Sequence, residues 1–138
     1  MLARWSREIK RTIDLASQLR YARMSAALYN KRVYTDTEEW IHHTNGGGAH
    51  IGITDNAVDQ LGEIVFIEYQ FEPGDKVEKG DDMIFVESVK ATEAIQAPFD
   101  LKLLENNVGL EDSLEDLNEK PEETWLVKVE RNDDSFTL

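Results

Sequence analysis

Glu87-Ser88-Val89-Lys90-Ala91-Thr92 lies between two short segments, residues 83–86 and 94–98, that read as the strands of a hairpin. A flexible, strongly hydrated lysine at a rigid hairpin tip is badly placed to support a core and well placed to meet another protein. That makes Lys90 a candidate attachment point, although on geometry alone a lysine in such a place is usually solvated surface.

The flanking sequence extends the β reading in both directions. Pro73-Gly74-Asp75 and Lys79-Gly80-Asp81 are tight turns bracketing Val77, and residues 64–69 form a strand rich in β-branched and aromatic side chains. Before them, Thr54 reads as the N-cap of a short helix that turns Ala57, Val58 and Leu61 inward and ends at Gly62. Residues 32–35, 40–43 and 50–53 are strand-like, and Asn45-Gly46-Gly47-Gly48 supplies the positive φ angles of a connecting turn. After the lysine hairpin come a strand at 101–104, a helix across 110–117, a turn at Pro121 and a last strand at 125–129. Short strands separated by frequent turns predict a mainly β fold, a flattened barrel or sandwich of antiparallel strands (a barrel-sandwich hybrid) with one or two short helices. Trp40 and Trp125 are expected in its core.

Charge divides the chain. Residues 1–32 hold eight Lys and Arg against Glu8 and Asp14, a balance of +6, so the remaining residues carry −19 of the net −13. A domain this acidic is repelled by nucleic acid and anionic lipid and attracted to basic protein faces; the plainer alternative is that the acids serve solubility. Leu2, Trp5, Ile9, Ile13 and Ala16 fall along one face of a helix among basic residues. Residues 1–30 are therefore expected to be a mitochondrial-type targeting presequence, the alternative being a surface-binding or domain-packing helix. Residues 31–131 would then be the working domain, in the matrix of a mitochondrion or a mitochondrion-derived organelle, and residues 132–138 a loose tail. Cysteine is absent, which excludes disulfides, thiolate metal sites and a cysteine nucleophile. No stretch has the roughly 18 apolar residues of a membrane-spanning helix.

The lysine segment, following its two turns, resembles the lipoyl-attachment segment of the glycine cleavage system H protein family. Tyr34-Thr35, Glu39-Trp40, Gly52-Ile53-Thr54, Leu61-Gly62-Glu63-Ile64-Val65-Phe66 and Trp125-Leu126-Val127-Lys128-Val129 stand in that family's order at nearly its spacing. Biotin carriers, with methionine on both sides of the lysine, and the lipoyl domains of 2-oxoacid dehydrogenases, with Asp before it, fit less well. The resemblance implies a lipoyl group on Lys90, within the segment Glu87, Ser88, Val89 and Ala91, with Glu87 read by the lipoylating enzyme. It implies a cleft beside the hairpin that shelters the loaded arm, with Thr37, Glu39 and Ile53 at matching positions. It also implies a carrier and not a catalyst. Its partners would be a pyridoxal-phosphate glycine decarboxylase, a folate-dependent aminomethyltransferase and a flavin-dependent dihydrolipoyl dehydrogenase, with neither nucleic acid nor membrane among them. Three departures from the family pattern are Glu38 in place of a histidine, Leu101 after Pro98-Phe99-Asp100 in place of a glycine, and Thr124 in place of the glycine before the last tryptophan.

Other constellations carry less. His42, His43 and His50 lack a supporting acid or cysteine spacing, and adjacent histidines on a strand point to opposite faces, so no metal site is expected. Gly46-Gly47-Gly48 lacks the helix and basic residue of a phosphate loop, and no two carboxylates stand out as a catalytic pair. Two rival functions remain: a lipoate-relay or regulatory carrier, and an unmodified acidic interaction module with the same fold.

Overall fold

Turn residues cut the chain into strands too short to be stable singly, and pairing them into two facing sheets buries their alternate apolar positions. The computed structural model describes residues 32–132, so the expectations for residues 1–30 and for the tail beyond Asn132 lie outside the described residues. The strands are β1 (Arg32–Tyr34), β2 (Glu39–His43), β3 (Gly48–Ile53), β4 (Ile64–Tyr69), β5 (Lys76–Val77), β6 (Asp82–Ser88), β7 (Thr92–Gln96), β8 (Leu101–Asn106) and β9 (Val127–Arg131). The helices are α1 (Asp55–Leu61), α2 (Gly109–Asp112) and α3 (Glu115–Glu119). One sheet runs β1-β2-β3-β9-β8-β5 and the other β4-β6-β7, with antiparallel pairing throughout. This is the expected barrel-sandwich hybrid.

Inward side chains of both sheets meet in one core, in which Ile51, Ile64, Ile84, Leu101, Leu126 and Val129 are almost wholly buried. Trp40 packs at its edge with the indole N–H donating to the Pro121 carbonyl at 3.0 Å. The absent side chain of Gly52 makes that possible, since a Cβ there would lie 2.3 Å from the indole ring. Trp125 departs from expectation: it is only half-buried, tilted against His50 with ring centroids 5.9 Å apart and covered by the Lys128 ammonium. The last strand accordingly starts at Val127, two residues later than the sequence pattern suggests.

The helix expected across 110–117 is two short helices, because extended backbone at Ser113 interrupts it. Both halves turn a leucine into the core, Leu110 and Leu117. Asn118 then fastens the second half to β4, donating to the Ile64 carbonyl at 2.9 Å and accepting from the Ile64 N–H at 2.8 Å. The turn lacking the family glycine closes without a positive φ. Instead, the Asp100 carboxylate accepts the Lys79 N–H at 2.8 Å and its carbonyl accepts the Asn132 N–H at 2.9 Å.

His42 and His43 point to opposite faces, as their adjacency requires, and no cluster of three metal-ligating side chains occurs among the described residues. Burial, followed by the charges of Arg131 and His42, holds the His43 imidazole below its usual value of 6.5. Burial, Lys128 and His42 outweigh Glu105 in lowering His50 likewise.

Two outcomes follow from this packing. Gly52→Ala forces the Trp40 indole out of place and should cost about 2–3 kcal/mol or more in urea unfolding, at the upper end of overpacking substitutions. Because the folded state binds fewer protons at His43 than the unfolded state does, stability contributed by this residue is complete above 6.5 and is lost as the pH falls below it. Melting temperatures measured from pH 7.5 to pH 5 should therefore fall less steeply for His43→Asn than for the wild type.

Candidate functional site

The hairpin of β6 and β7 carries its tip on one hydroxyl. Ser88, itself buried, accepts the N–H groups of Lys90 at 3.1 Å and Ala91 at 3.0 Å and donates to the Ala91 carbonyl at 3.1 Å. A short polar side chain bonding its own turn is the usual device for fixing a tight reversal. Ser88 thus shapes the turn from within, while Glu87, Val89, Lys90 and Ala91 are exposed.

The tip rests on the end of α1. Thr54 caps that helix by accepting the Ala57 N–H at 3.1 Å, and Gly62 ends it with φ 81° and ψ −171°, a region open essentially to glycine alone. A Cβ at Gly62 would lie 3.3 Å from Val89 and 3.4 Å from Cε of Lys90, so the aliphatic stem of the lysine lies directly over this glycine. The Val89 N–H also donates to the Glu63 carbonyl at 3.0 Å. Lys90 is therefore held along its stem while its ammonium stays in solvent, and among the described residues no carboxylate pairs with it.

Beside the tip, a cleft of about 560 Å³ opens between the free edge of β7 and the segment leading into β2. It contains Thr37, Glu39, Ile53 and Ala91, so the cleft residues expected from the sequence come together with the residue that follows Lys90. Ala57, Leu61 and Ile95 add apolar floor, and Asp36, Glu38 and Glu93 add carboxylates that the sequence did not single out. Among the described residues, no lysine or arginine lines it. Glu87 stands instead on the outer face of the hairpin, and Val89, though exposed, lies against Gly62.

Glu39 is buried yet satisfied: its carboxylate accepts from the hydroxyls of Thr35 and Thr37, and its N–H donates to the Thr35 hydroxyl at 3.0 Å. Glu38 adopts φ 67°, the single non-glycine residue with positive φ among the described residues. Three bonds hold it there. Its N–H donates to the Thr35 carbonyl at 3.2 Å, its carbonyl accepts the Thr54 N–H at 3.0 Å, and its carboxylate accepts the Thr54 hydroxyl at 2.7 Å. The cap of α1 and the acidic rim of the cleft are thus one connected network. Neither the left-handed backbone of Glu38 nor the seat at Gly62 could be read from composition; Gly62 was visible only as a helix stop.

Comparison with known proteins agrees with this geometry. Residues 32–137 match the sequence model of the family described as Glycine cleavage H-protein. The chain belongs to that family. Over 101 residues it is 48% identical to a "Glycine cleavage system H protein" of Dinoroseobacter shibae, covering 72% of this chain and 81% of the relative. A protein of the same description from Vibrio campbellii is 42% identical over 103 residues, 74% of this chain and 81% of the relative. The crystal structure of a glycine cleavage system H protein from Mycobacterium marinum superposes with a TM-score of 0.67 at 31% identity, covering 75% of this chain and 85% of that one. As a member of the H-protein family the chain is a carrier component of the glycine cleavage system.

These relatives correct one expectation. They are bacterial proteins, and bacteria have no mitochondria, so the placement in a mitochondrial or mitochondrion-derived matrix is overturned. Residues 1–30, on which it rested, lie outside the described residues.

Gly62→Ala should destabilise the fold by about 1–3 kcal/mol, the cost of forcing a side chain into that backbone region. It should also shift the Lys90 Cδ and Cε resonances, since the new methyl group occupies the surface on which the stem lies.

Proposed function

We propose that this H-protein-family member carries a lipoyl group in amide linkage on Lys90 and shuttles an aminomethyl group within the glycine cleavage system. The observation that supports the reading best is the position of the Lys90 ammonium: exposed, held by its stem over Gly62, and next in sequence to a residue lining the acidic cleft. The residues present fit the group. The cleft lies within the usual volume range of small-molecule sites, with an apolar floor at Ile53, Ala57, Leu61 and Ile95 for a hydrocarbon arm.

A lipoyl group held there would supply a strained cyclic disulfide whose S–S bond is given up when one sulfur gains the aminomethyl carbon with its bonding pair, the dithiol left after transfer being reoxidised by dihydrolipoyl dehydrogenase. The chain's own residues bind and orient. The Ser88 hydroxyl keeps the tip rigid, Gly62 directs the lysine stem, and Ile53 with Leu61 keeps water from one side of the cleft. Glu39, pinned by the hydroxyls of Thr35 and Thr37, presents a fixed negative charge where a protonated amine would be brought, with Glu38 adding a second. In this reading residues 31–131 are the carrier domain. Its partners are glycine decarboxylase, the folate-dependent aminomethyltransferase, dihydrolipoyl dehydrogenase and the lipoylating enzyme. Tethering lets one arm visit successive active sites at high effective concentration.

Intact mass of the protein incubated with a lipoylating enzyme tests the attachment: one lipoyl mass on the wild type and none on Lys90→Ala is the expected result. With purified partners, the lipoylated wild type should support glycine-dependent release of carbon dioxide and Lys90→Ala should support none. An adduct on the wild type that supports no such release would favour a lipoate-relay carrier, and no adduct at all would leave the unmodified interaction module.

A further inference from the structure

The smaller sheet turns an aromatic surface toward solvent beside the lysine tip. Cross-strand register sets Phe66 opposite Glu87, Glu68 opposite Phe85, Phe85 opposite Ala94 and Glu87 opposite Thr92. Their neighbours Ile67, Val86, Ile84 and Ile95 are buried on the inner face, so these six residues share the outer one. Phe66 is 51% exposed and Phe85 37%. They stand on a diagonal of adjacent strands, about 7–8 Å apart by ordinary sheet geometry. Of the eight large hydrophobic side chains exposed among the described residues, four (Val65, Phe66, Phe85 and Val89) belong to this sheet and its turn. A bulge between Ile64 and Phe66 contributes by sending two successive side chains of β4 outward.

Two aromatic rings alternating with two carboxylates, with no cation among the six, form a surface of definite character. The same face of a second copy would set Glu68 and Glu87 against like charges, and the −19 balance of residues 33–138 repels nucleic acid and anionic lipid. What complements it is a protein face with an apolar pocket inside a rim of lysine and arginine. A partner that acts on the Lys90 amine must cover the ground next to the tip, and this face is continuous with it through Glu87.

We propose that the outer face of β4-β6-β7 is the docking surface for the enzyme that acylates Lys90, with Phe66 and Phe85 as the apolar anchors and Glu68 as the charge that meets its basic rim. The proposal rests on the carrier reading and adds the surface through which the acylating enzyme selects this chain. The reaction that reports on it forms the amide between Lys90 Nζ and the lipoyl carbonyl of an acyl adenylate, releases AMP and gives up the amine proton to solvent.

The test uses the full chain, a lipoate–protein ligase, ATP and lipoate, with initial rates measured against carrier concentration and products identified by intact mass. Phe66→Ser combined with Phe85→Ser should raise KM for the carrier about tenfold with kcat within about twofold, as expected when interface anchors are truncated. Leu104→Ser, an equally exposed site on β8 of the other sheet, should leave both unchanged. Glu68→Gln should raise KM and flatten its dependence on salt. Every variant should remain folded at the assay temperature by circular dichroism, and Lys90 should react with a small amine-acylating reagent at the wild-type rate, which separates docking from unfolding or a displaced lysine. An unchanged KM in the double variant, or a KM rise of the same size in Leu104→Ser, overturns the proposal. So does a wild type that self-associates in light scattering while the double variant does not, which would give the face to a second copy. A wild type that gains no lipoyl mass would instead sink the carrier reading itself.

Discussion

Everything near the lysine depends on the contact between the hairpin tip and the end of α1. The Val89 N–H reaches the Glu63 carbonyl, and the bare Cα of Gly62 admits the lysine stem. Without that contact the tip of a two-stranded projection would be free to swing on its turn. With it, the small sheet is bonded to the end of α1 beside the acidic cleft, and the exposed lysine extends beyond that contact. Thr54 extends the connection, since its hydroxyl both caps α1 and binds Glu38.

The electrostatic arrangement follows from how the acids are held. A buried carboxylate with no donors would be costly; Glu39 is surrounded by donors from its own strand entry, at Thr35 and Thr37, and keeps its place at the cleft with no cationic partner among the described residues. Arginine is used elsewhere: Arg32 lies over the Trp40 ring at 4.1 Å and pairs with Glu122 at 3.6 Å, while Glu122 also accepts from Tyr34 and the Asp55 N–H. This clasp ties β1, α1 and the turn at Pro121 together on the side away from the lysine stem. The charge facing the cleft is thereby left negative.

Much of the fold was legible because its signals are local. Gly46, Gly47, Gly74 and Gly80 adopt the positive φ that their turns demand, Thr54 and Gly62 bound α1 as their chemistry suggests, and β4 spans the expected residues. The failures are tertiary. The split between α2 and α3 falls at the extended backbone of Ser113, beyond which Asn118 reaches across to β4, and Trp125 lies outward with Lys128 and His50 as its surface partners. At the candidate site, Lys90 was singled out by its hairpin and by resemblance, and Thr37, Glu39 and Ile53 by resemblance alone, whereas the positions of Glu38 and Gly62 follow from backbone angles and from neighbours distant in sequence. No periodicity encodes those.

The strand order has a consequence for how the chain is made. β9 is inserted between β3 and β8, so both of those strands keep an unsatisfied edge until residues 127–131 have left the ribosome. Until then the two parts of the larger sheet, β1-β2-β3 and β8-β5, have no strand to join them. A product terminated before Val127 would keep both edges open and be a substrate for chaperones or proteases.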